Sequence, residues 1–164
     1  MESQNRRELT PEEEQKISFW VEALRQGVNP ARAAQELYFM GVRTRGSVRT
    51  RGSAHRAAPS RFPLGTPVKE ILGLLQNQAS PEVRSGVASA LAEWGGQEAL
   101  DVLKKLVIGE EHDPDPAVRA AALDAIGIIG GPEAASVLRQ VIASENDATL
   151  KGMAECLIEP LSQE

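Results

Sequence analysis

Residues 80–107 read SPEVRSGVASALAEWGGQEALDVLKKLV, and residues 115–142 read DPAVRAAALDAIGIIGGPEAASVLRQVI. When the chain is shifted by 35 residues, 11 of the 30 positions in 81–110 are identical to their counterparts in 116–145, whereas average residue frequencies give about two by chance. Each stretch has a helical segment that begins with proline, then a Gly-Gly pair, then a second helical segment. Because glycine can end a helix and turn the chain, the pattern predicts two consecutive units of helix, turn and helix.

Weaker copies of the unit flank these two. Residues 147–159 resemble a further first helix, which Pro160 would end. Residues 67–76 resemble a second helix, whose first helix would be residues 30–40 with Gly41 at the turn. A unit of this kind cannot bury its apolar face alone and must stack on its neighbours. The sequence therefore predicts an all-α fold, an α-solenoid of helical repeats.

A separate helix is predicted at the N-terminal end of the array. The pattern Thr10-Pro11-Glu12-Glu13 combines a capping threonine, a proline at the first helical position and a glutamate three residues after the cap. No stretch of alternating β-branched residues predicts a strand. The predicted organisation has three parts: an N-terminal helical cap with a degenerate repeat in 1–41, an inserted loop in 42–65 and helical repeats in 66–164.

Composition narrows the class of protein. A chain of 164 residues with 41% hydrophobic residues is the size and composition of one globular domain. The single cysteine excludes an internal disulfide framework and a cysteine-rich zinc site. No apolar run approaches the roughly 20 residues of a membrane helix, and the polar, acidic first residues are unlike a signal peptide. We therefore expect a cytoplasmic protein.

The predicted loop is strongly basic. Residues 42–61 hold six arginines and no acid, so the rest of the chain carries 12 basic and 23 acidic residues. Residues 42–47 are repeated without change as 48–53, and we expect residues 42–65 to be disordered when free. Two interpretations stay open. The arginines contact phosphates or an acidic partner, or the segment is a duplicated surface loop whose extra length lowers the stability of the fold only slightly. The first would use Arg43, Arg45, Arg49 and Arg51.

The repeated units resemble a known family. The order Asp/Ser-Pro-x-Val-Arg, a small-residue helix that ends in glycine, Glu-Ala and an apolar second helix is similar to HEAT-like repeats of the phycobilisome-lyase type. The resemblance implies an α-solenoid whose second helices line a concave surface. Repeats of this type occur in proteins with several functions, among them bilin lyase subunits, phycobilisome-degradation proteins and scaffolds, so the resemblance implies one of these roles. The family's metal-dependent hydroxylases use His-Glu pairs on successive helices, which this sequence lacks.

Two candidate polar sites have structural interpretations. Arg84 and Arg119 occupy the same repeat position, and each is expected to reach an aspartate or a helix-end carbonyl of the adjacent repeat rather than a ligand. The stretch 110–115 combines four carboxylates with His112 and could bind a cation, but its spacing matches no calcium loop. We favour a solvated loop between repeats, with Asp115 as a helix cap.

No catalytic, cofactor or metal site is predicted. Cys156 has no activating partner in any motif, and we expect a buried or half-buried thiol there. Trp20 lies on the apolar stripe of its helix and is expected in the core, while Trp94 is expected in core or rim packing. The chain contains no phosphate-binding loop, dinucleotide-binding motif or nucleophile elbow.

The predicted function is non-catalytic: a protein-protein interaction scaffold or adaptor that binds its partner through the second helices. Positions beside the apolar stripes of those helices should be exposed and should contact the partner. They are Lys69, Asp101, Lys104, Lys105, Ser136, Arg139 and Gln140. Two alternatives remain: a phycobilin lyase-like or phycobilisome-turnover role, implied only by the resemblance, and nucleic-acid binding through the arginine-rich loop. A helix-turn-helix reading of the first two helices is disfavoured by their apolar stripes.

Overall fold

A computed structural model describes residues 10–44, 80–94 and 97–162, apart from the side chains of 38, 41–44, 93 and 94. Within these ranges every regular element is helical, as predicted. The helices are α1 (Pro11–Arg25), α2 (Pro30–Thr44), α3 (Pro81–Trp94), α4 (Gln97–Val107), α5 (Pro116–Ile129), α6 (Gly131–Ser144) and α7 (Ala148–Ile158), followed by a short 3-10 turn at Pro160–Ser162.

The helices stack in the order that the repeat predicts. The first helices α2, α3, α5 and α7 pack in series, and α1 covers α2 and touches α3. The second helix α4 packs chiefly against α5, and α6 packs chiefly against α7. Each second helix therefore joins its own unit to the first helix of the next, which is the stacked arrangement of an α-solenoid.

Side-chain caps begin three of the helices, and two of them, Thr10 and Asp115, were predicted. The Thr10 hydroxyl accepts a hydrogen bond from the Glu13 N–H, and the Glu13 carboxylate accepts one from the Thr10 N–H, which completes a capping box at α1. The Asp115 carboxylate caps α5, and the Asp147 carboxylate caps α7. These bonds satisfy N–H groups that the first turn of a helix leaves without an intrahelical partner.

The turn between α5 and α6 depends on two glycines. Gly130 has φ 67° and ψ −168°, and Gly131 has φ 85°. Residues that have a Cβ atom rarely adopt these backbone angles. The predicted Gly-Gly turn is therefore confirmed here, whereas its counterpart at 95–96 lies outside the described residues.

Substitution of Gly130 by alanine tests this turn. We expect Gly130→Ala to lower the free energy of unfolding by about 1–3 kcal/mol, because the backbone angles at this position are strained for any residue with a Cβ. Gly152→Ala is the matched control: a Cβ there meets no atom within 4 Å in the middle of α7, so it should raise stability by about 0.5–1 kcal/mol. Urea melts of the two variants measure both changes in the free energy of unfolding. Equal stability of the two variants would contradict the conclusion that the turn requires glycine at residue 130.

One predicted boundary is wrong. We expected the helix from residue 30 to end at Gly41 and the loop to begin at residue 42, yet α2 continues to Thr44. A single glycine costs a helix only about 1 kcal/mol, and the buried face of α2, which includes Leu37 and Met40, offsets that cost. Arg43 is therefore part of a helix. The rest of the predicted loop and the predicted helix 67–76 lie outside the described residues.

A continuous apolar core runs through the stack. Leu103 in α4 and Leu138 in α6 occupy the same repeat position, and both side chains are fully buried. Leu91 and Ile126 likewise occupy equivalent positions in the first helices α3 and α5, and both are fully buried.

Among the described helices, none combines the length and the hydropathy that a membrane-spanning segment requires.

Candidate partner-binding face

The recurring arginines join successive units. Arg84 lies in the first turn of α3, and its Nε donates a hydrogen bond to Asp113 Oδ2 at 2.7 Å while its Nη2 donates to Oδ1 at 3.0 Å. Asp113 lies in the loop between α4 and α5, where only 5% of its side chain is exposed. This two-point contact has the geometry in which guanidinium and carboxylate bind most strongly.

Arg119 makes the equivalent connection one unit later. Its Nη1 donates to the Asp113 carbonyl oxygen at 2.8 Å. Its Nε lies 3.3 Å from Glu145 Oε2, an ion pair without the alignment of a hydrogen bond. The other oxygen of Glu145 accepts hydrogen bonds from the N–H groups that precede α7. The structural interpretation is confirmed for Arg84, which reaches an aspartate of the next unit. Arg119 also lies in a joint between repeats, but its partners are the Glu145 side chain and a loop carbonyl oxygen rather than an aspartate or a helix-end carbonyl.

The surroundings of Asp113 favour its charged form. Burial raises the pKa of this carboxyl group, but the hydrogen bond from Arg84, the N–H of Asp115 and the charges of Arg84 and Arg119 outweigh burial. The pKa of Asp113 therefore lies below its usual value. In turn, the hydrogen bond from Arg84 to Asp113 raises the pKa of Arg84 despite partial burial.

This shift predicts how stability depends on pH. Because the pKa of Asp113 is lower in the folded protein than the ordinary value of about 3.9, its stabilising contribution is complete above that value. The contribution is lost as pH falls through the folded-state pKa. In urea melts between pH 7 and acidic pH, the free energy of unfolding of the wild type should fall by an amount that is absent in Asp113→Asn. Parallel pH profiles of the two proteins would contradict this expectation.

The acidic loop between α4 and α5 is built for structure. His112 Nδ1 lies 2.8 Å from the Gly109 carbonyl oxygen, Asp113 binds Arg84, and Asp115 caps α5. The described residues contain no group of three or more His, Cys, Asp or Glu side chains that could hold a metal ion. The prediction that Asp115 caps α5 is confirmed. The prediction of a solvated loop holds for Glu110, Glu111 and His112, which are exposed, but is wrong for Asp113, which is buried because it pairs with Arg84.

Two predicted burials are wrong. Cys156 is exposed, because the buried stripe of α7 follows Leu150 and Ala154 and leaves Cys156 on the outer side. Trp20 is half-buried at the rim rather than in the core, with its ring centroid 4.9 Å from that of Phe19 and 5.8 Å from the Arg32 guanidinium carbon. The side chain of Trp94 lies outside the described residues.

The two described second helices expose matching rows of polar residues, which we call the second-helix face. It comprises Glu98, Asp101, Lys104 and Lys105 on α4, and Glu133, Ser136, Arg139 and Gln140 on α6. Six of the seven positions predicted for partner binding belong to this face and are exposed, and Lys69 lies outside the described residues. Glu98 and Glu133 were not among the predicted positions, although both are glutamates at the same repeat position.

Charge follows the same order on both helices of the face. Glu98 and Glu133 lie in the first turns of α4 and α6, and Lys104 and Arg139 follow six residues later at equivalent positions. Six residues of α-helix span about 9 Å. The face therefore has an acidic row and a basic row that cross both helices. The side chains of Arg43, Arg45, Arg49 and Arg51, the alternative anion site, lie outside the described residues.

Comparison with known proteins agrees with this geometry. The family model of HEAT repeats matches residues 68–158, which is more than half of the 164 residues. No curated protein and no solved structure matches the chain. The match begins within the predicted helix 67–76 and ends with α7, so it includes α3 to α7 but not α1 or α2. The chain belongs to the HEAT repeat family.

Proposed function

We propose that this protein is a non-catalytic interaction scaffold that binds a protein partner through the second-helix face. The observation that carries the proposal is the repetition of exposed, charged positions on α4 and α6 in the same order. HEAT repeats are commonly interaction scaffolds, and repeat arrays bind partners across extended surfaces built from equivalent positions.

The charges of this face are not used to hold the fold together. Among the described residues, Glu98, Lys104, Lys105, Glu133 and Arg139 take part in no ion pair, whereas Arg84 and Arg119 do. An exposed side chain without an intramolecular partner can contact another protein without giving up a native bond. This difference between the two sets of charged residues supports a binding role for the second-helix face and a structural role for the arginines in the joints.

Affinity capture with paired variants tests the proposal. The tagged protein, Lys104→Glu/Arg139→Glu and the control Lys16→Glu/Lys151→Glu would each capture proteins from lysate of the source cells, with and without nuclease treatment. Mass spectrometry would quantify the captured proteins. The control changes charge equally at two exposed lysines on α1 and α7. We expect a discrete partner that the control retains and the face variant loses by about tenfold or more, the effect of reversing a few contacting charges.

Other results would contradict the proposal. A partner that both variants retain equally would place binding elsewhere on the chain. Proteins that disappear after nuclease treatment would instead support nucleic-acid binding through the arginine-rich loop. Circular dichroism of each variant shows whether the helices are intact, so that a loss of capture is not a loss of folding.

The finer resemblance, to repeats of the phycobilisome-lyase type, supports a narrower version of the proposal. The family match covers HEAT repeats as a whole, so the narrower version rests on the repeat motif alone. A partner in the capture experiment that is a phycobiliprotein would support it. Formation of a coloured adduct from bilin, phycobiliprotein and this protein would then replace the non-catalytic scaffold by a lyase subunit.

A further inference from the structure

We infer that the second-helix face binds a partner α-helix that lies antiparallel to α4 and α6, with acidic residues in its first turns and basic residues in its last turns. This inference rests on the proposed function and names the kind of partner. It is carried by the order of charge along each helix of the face, by the spacing of the two rows and by the charge order that the helix dipole favours in a partner helix.

The order of charge determines which partner surface is complementary. Glu98 and Glu133 form one row, and Lys104 and Arg139 form the other, about 9 Å further along the helix axes. A partner that lies along these axes meets both rows, so complementarity requires one acidic and one basic region at the same separation. A helix provides a similar separation, about 10.5 Å, with residues seven positions apart, which lie on nearly the same side of the helix.

The direction of the partner helix follows from the helix dipole. Acidic residues stabilise the first turn of a helix and basic residues stabilise the last, and α4 itself follows this rule with Glu98 and Lys104–Lys105. A partner helix with the same ordinary arrangement matches the face only when its N-terminal end lies over Lys104 and Arg139. The antiparallel orientation also sets the two helix dipoles in opposition, which is favourable.

The same arrangement disfavours a nucleic acid on this face. A phosphate backbone carries one sign of charge throughout. A strand along α4 would place phosphates over Glu98 and Asp101 as well as over Lys104 and Lys105, and the two carboxylates would repel it. Only a polymer that carries both signs, such as a polypeptide, can satisfy both rows.

Synthetic helices test the inference directly. Two alanine-based peptides of about 18 residues, long enough to form helix in water, would share one composition. One has glutamates in its first two turns and lysines in its last two, and the other has them in alternation. By fluorescence anisotropy at low salt, we expect the full chain to bind the ordered peptide about tenfold more tightly, since several exposed ion pairs form together. Affinities within a factor of about two would overturn the inference.

The orientation has its own readout. A nitroxide at the N-terminus of the ordered peptide should broaden amide signals near Lys104 and Arg139 more than those near Glu98 and Glu133. The fourfold variant Glu98→Lys/Lys104→Glu/Glu133→Lys/Arg139→Glu has the same net charge with the rows exchanged, so broadening should move to the opposite end. If the nitroxide broadens the same amide signals in the fourfold variant as in the wild type, the inference is wrong. Tighter binding of single-stranded DNA than of the ordered peptide would also overturn it.

The two proposals can fail separately. If the natural partner is lost from Lys104→Glu/Arg139→Glu but the two peptides bind equally, the face binds a protein and the inference about an oriented helix is wrong. If the natural partner is retained by that variant, the proposed function itself is wrong.

Discussion

Asp113→Asn is expected to lower the free energy of unfolding at pH 7 by about 3 kcal/mol, the lower end of what breaking a buried ion pair costs. The amide removes the negative charge that two donor atoms of Arg84 approach at 2.7 and 3.0 Å. The Arg84 side chain is only 18% exposed, so water replaces the lost carboxylate poorly. Chemical denaturation of the wild type and the variant measures the difference.

Two controls separate the ion pair from a general effect of losing a carboxylate. Asp124→Asn removes an exposed carboxylate from α5 and should change stability by less than about 0.5 kcal/mol. In Arg84→Met/Asp113→Asn neither charge is left, so the double variant should be more stable than Asp113→Asn alone. A loss below about 1 kcal/mol in the single variant would show that this joint contributes little.

Leu103→Ala is expected to cost about 2–5 kcal/mol, because it removes buried methyl groups and leaves a cavity. The Leu103 side chain is fully buried on the inner side of α4. Leu138→Ala, at the equivalent position of α6, should cost a similar amount, since its side chain is buried to the same extent. Urea melts of both variants measure the losses.

The half-buried neighbour Leu106, one turn further along α4, provides the matched control. Leu106→Ala removes the same atoms from a position that already contacts water, so it should cost clearly less than Leu103→Ala. Equal losses for the two variants would mean that the inner side of α4 has been assigned to the wrong residues.

The sequence predicted most of the described fold because local signals and the repeat agree. A capping aspartate and a proline precede α5, a Gly-Gly pair separates α5 from α6, and both are where the pattern places them. The end of α2 was missed because Gly41 was weighed alone. A glycine is a weak stop signal unless the backbone needs a positive φ, and neighbouring burial decides the outcome.

The candidate site was predictable only in part. Exposure of Lys104 and Arg139 followed from the apolar positions beside them. The carboxylate that Arg84 contacts could not be identified from spacing, because four acids lie within residues 110–115 and only the loop geometry selects Asp113. The exposure of Cys156 was missed because burial was inferred from the lack of an activating partner, although Cys156 lies off the buried stripe of α7.

The connections through the arginines have a mechanical consequence. Arg84 and Asp113 are 29 residues apart, and Arg119 and Glu145 are 26 apart, so each ion pair reaches only into the adjoining unit. Bonds of such short range let an array yield in steps. We therefore expect a force applied at the two ends of the chain to unfold one unit before its neighbours, because each ion pair ties a unit only to the next one.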